Sequence, residues 1–374
     1  MRSLPSLPRK VGPFRALLLG ALLAVAAGPA AAGDLTVVSW GGAYTKSQIL
    51  GFIKPYEEAR GLDVEVLDYN GGLGEIRSQV SSYNVKWDVV DLELADALRG
   101  CREGLLVKID PDDLPPSPDG VPARRDFLPG SLTDCGVGSV VWSTVIAFDP
   151  DEFSAKDRPD RLEDFFNVRK YPGRRGMRQT PKGNLEWALM ADGVSPDRVY
   201  DVLATDQGLD RAFRVLSRIK PYIVWWTKGT DAVRMLRRGR VRMSTVYSGR
   251  VWDADTNRGA DLRMVWDHQI WNMDLWAIVK HTENLERARD FVAFATSTES
   301  LAGQAGYIPY GPVRRSSQPL VPEAMQPYLP TRREHMRNAL RIDARWWAEN
   351  FERVDARFEQ WLERPVQVPR NLPH

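Results

Sequence analysis

VVSWGGAYTKS, residues 37–47, joins an apolar β-branched run to a helical pattern through Trp40, Gly41 and Gly42. Alternation of this kind predicts a strand followed by a helix. A turn would need only the glycines. An indole at the tip of a strand, beside two positions stripped of side chains, suits a place where something comes to lie against the ring.

Reading outward, LTVVSW is a strand and TKSQILGFIKPYEEARG a helix, with Ile49, Phe52, Ile53 and Tyr56 on one face and Gly61 past its end. DVEVLDY and WDVVDLE read as further strands, with helices over LGEIRSQVSSY and ADALRGCREG. Strand–helix alternation predicts right-handed crossovers and a parallel sheet. After the Pro-rich loop at 111–122, the β-branched GVGSVVWSTVIAFDP is long enough to serve two sheets, and the alternation restarts beyond it. YIVWW and VRMSTVYSG are strands of this second part. The chain is too long for a single core. It leaves one α/β lobe near Trp142–Phe148 and returns near Asp274–Lys280, so the expectation is two lobes, a two-strand hinge and a cleft. Small ligands bind in such clefts, at the carboxyl ends of parallel strands.

Residues 1–32 hold Arg2, Arg9, Lys10 and Arg15 and no acid, then an apolar run ending in GPAAAG. That is the pattern of a cleaved secretory signal, too short to span a bilayer. Removing its four basic residues from the 51 leaves 47 against 49 acids, so the net charge turns from +2 to −2. Nucleic acid is not an expected partner, and the Arg174–Arg178 and Arg237–Arg240 clusters read as solvated faces. Cys101 and Cys135 can pair in an oxidising compartment or remain two buried thiols. The four histidines show no metal-ligand spacing, and no G-x-S-x-G or P-loop is present. No cofactor, metal or catalytic nucleophile is expected.

VVSWGGAY, WDVVDLELADALRGCREGLLVKID, YPGRRG, RVRMSTVYSGR, IWNMDLWAIVK and GYIPYGPV, in that order, resemble the periplasmic substrate-binding proteins of ABC importers, most of all their spermidine/putrescine-binding branch. The resemblance covers essentially the whole mature chain. It implies an α/β, two-lobed type II Venus-flytrap fold with mostly parallel sheets. The boundaries expected are a signal at 1–32, one lobe of 33–141 plus 275–312, and another of 142–274 plus 313–374. It also implies a monomeric periplasmic receptor that hands its solute to a membrane permease.

In that branch aromatic rings sandwich the solute and carboxylates take its amines. Trp40, Tyr44, Trp142, Tyr247 and Tyr307 match the aromatic positions, and Asp274 matches an amine-binding acid. The chain departs from the pattern elsewhere. Glu93 stands at the tip of the third strand, where the branch offers a tyrosine nearby. Asn272 holds an aromatic position, with Trp271 one place earlier. Trp226 is a further candidate, whereas Asp91, Trp346 and Trp347 read as structural. The main expectation is a small cationic, polyamine-like amine. The alternative is an amino-acid-like or betaine-like zwitterion, favoured if Lys182 faces the cleft. A ferric-ion binder and a periplasmic enzyme are the remaining classes.

Overall fold

A computed structural model describes residues 33–366; the expected signal at 1–32 lies outside the described residues. Eleven strands form one continuous sheet: β1 Leu35–Ser39, β2 Val64–Asp68, β3 Val89–Glu93, β4 Leu132–Thr133, β5 Gly136–Phe148, β6 Arg175–Arg178, β7 Ile223–Trp226, β8 Met243–Tyr247, β9 Arg263–Ile278, β10 Gly311–Pro312 and β11 Leu340–Arg341. The main order is β2-β1-β3-β9-β5-β8-β6-β7. The triplets β2-β1-β3 and β8-β6-β7 are internally parallel, as strand–helix alternation requires. Between them, β5 and β9 pair with each other and with their outer neighbours in antiparallel fashion. The direction follows from the chain path: β5 carries it out of the first triplet's half, and β9 brings it back. Thr144–Phe148 of β5 pair with β8, and Asp274–Ile278 of β9 pair with β3.

The first helical segment obeys its apolar face. Phe52, Ile53 and Tyr56 are buried, and Gly61 closes it in the left-handed conformation. Its middle, Ile49–Ile53, is a π-turn, a local irregularity the periodicity did not announce. Trp276 anchors the core of the same half against Phe52 and Phe291.

One expectation changes. Of the Arg174–Arg178 cluster only Arg174 is solvent-exposed; Arg178 turns to Glu93. Arg175 is buried and donates to the carbonyls of Phe165, Gly173 and Tyr171, which compensate its lost hydration. The C-terminal helix Ala344–Glu363 touches both halves. Phe358 and Trp361 pack on Trp225, whereas Arg102 donates to the Ala348 carbonyl and Arg99 pairs with Glu352. Trp347 is fully buried, with its indole N–H on Glu186.

Cys101 and Cys135 form a disulfide closing a 34-residue separation. It ties the helix after β3 to the approach of β5. In the chain-entropy account such a loop stabilises by about 3–4 kcal/mol. Replacing both cysteines with serine is expected to lower unfolding free energy by about that amount, measured by denaturant unfolding; an unchanged midpoint would show that the bond constrains little.

Candidate functional site

The parallel strands of both halves end at one cavity. Trp40 follows β1, Tyr69 and Asn70 follow β2, and Glu93 ends β3. From the other half come Arg178 at the end of β6, Thr227 after β7 and Tyr247 at the end of β8, with Arg250 one turn on in the helix Ser248–Trp252. Trp142 and Asp274 enter from the crossing strands β5 and β9, and Tyr44 and Tyr310 complete the wall.

The glycines after Trp40 now have a physical reason. A Cβ on Gly42, which has φ of 64°, would lie 2.5 Å from an Arg250 guanidinium nitrogen. Bare backbone here lets Arg250 reach across and donate to the carbonyls of Trp40 at 3.1 Å and Gly41 at 3.0 Å. Gly71 likewise leaves room for the Trp40 ring, where a Cβ would come within 2.6 Å. Trp40 leans on Tyr69, and Trp142 meets Tyr247 edge to face at 5.2 Å.

Strand pairing puts three carboxylates on one face. Asp91 and Glu93 are two residues apart on β3, and Glu93 lies directly opposite Asp274 on β9. Their partners differ. Glu93 is bridged by Arg178, at 3.2 Å, and by Lys182, both from the other half. Asp91 accepts from Tyr44 and Gln48. Asp274 accepts from the Trp142 indole at 2.6 Å and has no cationic partner among the described residues. Asp274 is only 4% exposed and Arg250, also without an ion-pair partner there, only 7%. The Trp40 Nε1 and Arg250 Nε atoms are buried and unpartnered.

The sequence-predicted residues divide accordingly. Trp40, Tyr44, Glu93, Trp142, Tyr247 and Asp274 line this cavity together. Trp226 lies behind it, with its ring edge to face on Tyr247. Trp271 is not in the cavity: its neighbour Asn272 shares the Asp274 face, so Trp271 points to the opposite side, under the Arg341 guanidinium. Tyr307 is 48% exposed on the turn after the helix Thr298–Ala305. Tyr310 takes the inward place, because β10 then pairs with Val140 and Val141 beside Trp142. Tyr69, Asn70, Arg178, Arg250 and Tyr310 escaped the sequence reading. The strand-end rule that singled out Trp40 would have found the first three.

Residues 51–331 match the family model of bacterial extracellular solute-binding proteins. The chain belongs to that family. It is 38% identical over 351 residues to the γ-aminobutyric acid-binding protein of Pseudomonas aeruginosa, covering 94% of this chain and 97% of that one. Among solved structures, this solute-binding protein is similar to MotA of A. tumefaciens B6 in complex with glucopine, with a TM-score of 0.81 and 26% identity over 88% of this chain and 99% of that one. It is also similar to the Atu4243 GABA receptor, with a TM-score of 0.76 and 29% identity over 89% and 99%. These likenesses carry the two-lobed periplasmic-binding-protein fold. No described helix of the solute-binding protein is long and apolar enough to cross a membrane, and no group of His, Cys, Asp or Glu among the described residues is placed to hold a metal ion.

Charge at the site follows its partners. Burial pushes the Asp274 carboxyl well above its usual range, and the nearby Asp91 and Glu93 add to the push. Burial raises Asp91 too, against the hydrogen bonds of Tyr44 and Gln48. Burial alone would also raise Glu93, but Lys182 and Arg178 outweigh it and hold that carboxyl below the usual range. A carboxyl raised on folding stabilises fully below its unfolded value, near pH 4, and that contribution is lost as pH climbs through the raised value. The ligand-free protein should therefore lose thermal stability from about pH 4 to about pH 7, the value to which burial raises Asp91. Asp274→Asn, which mimics the protonated acid, should flatten the decline without unfolding the protein; an equally steep melting profile in that variant would contradict the assignment.

Proposed function

We propose that the chain is a periplasmic receptor for a short zwitterionic ω-amino acid of the γ-aminobutyrate class, which it delivers to the permease of an ABC importer. One observation carries the reading: a single cavity holds one buried acid without a cation, Asp274, and one buried cation without an acid, Arg250. A buried charge needs a counter-charge. A zwitterion supplies one of each sign. A polyamine would leave Arg250 facing a second positive charge, and the other acid that could receive its far amine, Glu93, is already neutralised from within. Lys182 does approach the cleft, but as the partner of Glu93. The names of the γ-aminobutyrate-binding relatives support the same class.

In this reading the ammonium sits between Asp274 and the faces of Trp40, Trp142 and Tyr247. A cation over such rings gains about 0.5–2 kcal/mol, and the charge-assisted hydrogen bond about 1.5–3 kcal/mol. Arg250 receives the carboxylate, and the aromatic walls cover the methylenes. The lobes meet where β5 and β9 cross, near Trp142 and Asp274. A ligand touching both halves shifts the ensemble toward the closed form. As in other members of the solute-binding family, the solute is held and released unchanged in this reading.

The test is calorimetric titration of γ-aminobutyrate into wild type, Asp274→Asn and Arg250→Gln. Each substitution strands one charge of the ligand and is expected to weaken binding by roughly 30-fold or more. Wild-type affinity retained by both variants would remove these residues from the site. Consumption of the solute by purified protein would end the receptor reading.

A further inference from the structure

Beside the ligand cavity lies a second, small pocket. Its lining includes Lys182, Trp187, Trp226, Thr245, Ile270 and Ile342. The two spaces share one wall, made of Glu93, Trp142, Arg178 and Tyr247. On one side of that wall the Trp142 and Tyr247 rings meet edge to face. On the other, Glu93 is pinned by Lys182 and Arg178. The inner chamber is not simply apolar packing. Trp226 and Thr245 are 2% and 1% exposed, and their Nε1 and Oγ1 atoms have no partner among the described residues. An unsatisfied buried donor is costly, so few occur without a role.

We propose that this chamber is a latent second subsite for the hydrogen-bond-accepting end of a longer solute, and that the Glu93–Lys182–Arg178 bridge is the partition that keeps it closed and sets ligand length. The inference rests on the ω-amino-acid reading of the outer cavity. Its chemistry follows from the wall. Glu93 holds the two cations as a solute carboxylate would, so the protein's own acid occupies that place. With Glu93 withdrawn, a solute whose amine stays on Asp274 can extend its carboxylate past Trp142 and Tyr247. Arg178 would meet that carboxylate, with the Thr245 hydroxyl and Trp226 N–H beyond. Lys182 lines only the inner side of the partition, so neutralising it as well avoids leaving two buried cations unpaired.

The experiment titrates ω-amino acids of increasing length, from β-alanine through ε-aminocaproate to longer homologues, into wild type and the Glu93→Ala/Lys182→Met double variant. Wild type should fall off beyond a short optimum by roughly tenfold per methylene that finds no room. The double variant should bind the longer members at least about tenfold more tightly than wild type does. Thr245→Val in that background should weaken only those longer members. Glu93→Asp, which keeps the charge network while drawing the wall back by one methylene, should shift the optimum in the same direction even if the double variant fails to fold. An identical length profile in wild type and in the folded variants overturns the partition while leaving the ω-amino-acid reading intact. If wild type binds no member of the series, the ω-amino-acid reading itself falls.

Discussion

Three carboxylates on one face of the β3–β9 ladder set the terms for the whole cleft. Water does not neutralise them, because all three are buried, so each needs a counter-charge or a proton. Glu93 takes its cations from the opposite half of the molecule. Asp91 settles for hydrogen bonds and a raised affinity for protons. Asp274 has no cation among the described residues and is pushed further toward the protonated form, so only an entering cation lets it ionise. Arg250 is the mirror case, a cation reaching across the cleft with its Nε unmatched. The cleft is thus nearly balanced, and what it lacks has the form of a zwitterion.

The same contacts couple binding to closure. Glu93 and Asp274 are fixed to the central strands, whereas Arg178, Lys182 and Arg250 ride on the half built around β6, β7 and β8. Both Glu93 ion pairs and both donations to the Trp40 and Gly41 carbonyls therefore join the two halves. A solute that pairs Asp274 with one end and Arg250 with the other adds to that set. The Ala344–Glu363 helix adds a further link, packing on both halves.

Much of this was legible in the sequence, and the rest failed for identifiable reasons. Alternation gave the two parallel triplets, and the long β-branched run around Trp142 showed that one strand serves both. The strand-end rule placed Trp40, and family resemblance placed Asp274 and Tyr247. Side-chain parity was harder. Trp271 and Asn272 differ by one position, and only the pairing of β9 with β3 decides which faces in. Tyr307 and Tyr310 share one short motif, and the turn between them sets which points inward. The pairing of Glu93 with Lys182 joins residues 89 positions apart through two different halves, so no local pattern reveals it. Arg178 sat in a charged run that read as solvent-facing until the fold turned it inward.

The most direct test of this account varies the charges of the solute and leaves the protein alone. γ-Aminobutyrate, its diamine analogue putrescine and its amine-free analogue butyrate have similar length but carry one charge of each sign, two positive charges and a single negative charge, respectively. If the cleft lacks one charge of each sign, calorimetry should show γ-aminobutyrate binding at least about tenfold more tightly than either analogue. Putrescine binding as tightly as γ-aminobutyrate, or more so, would contradict it.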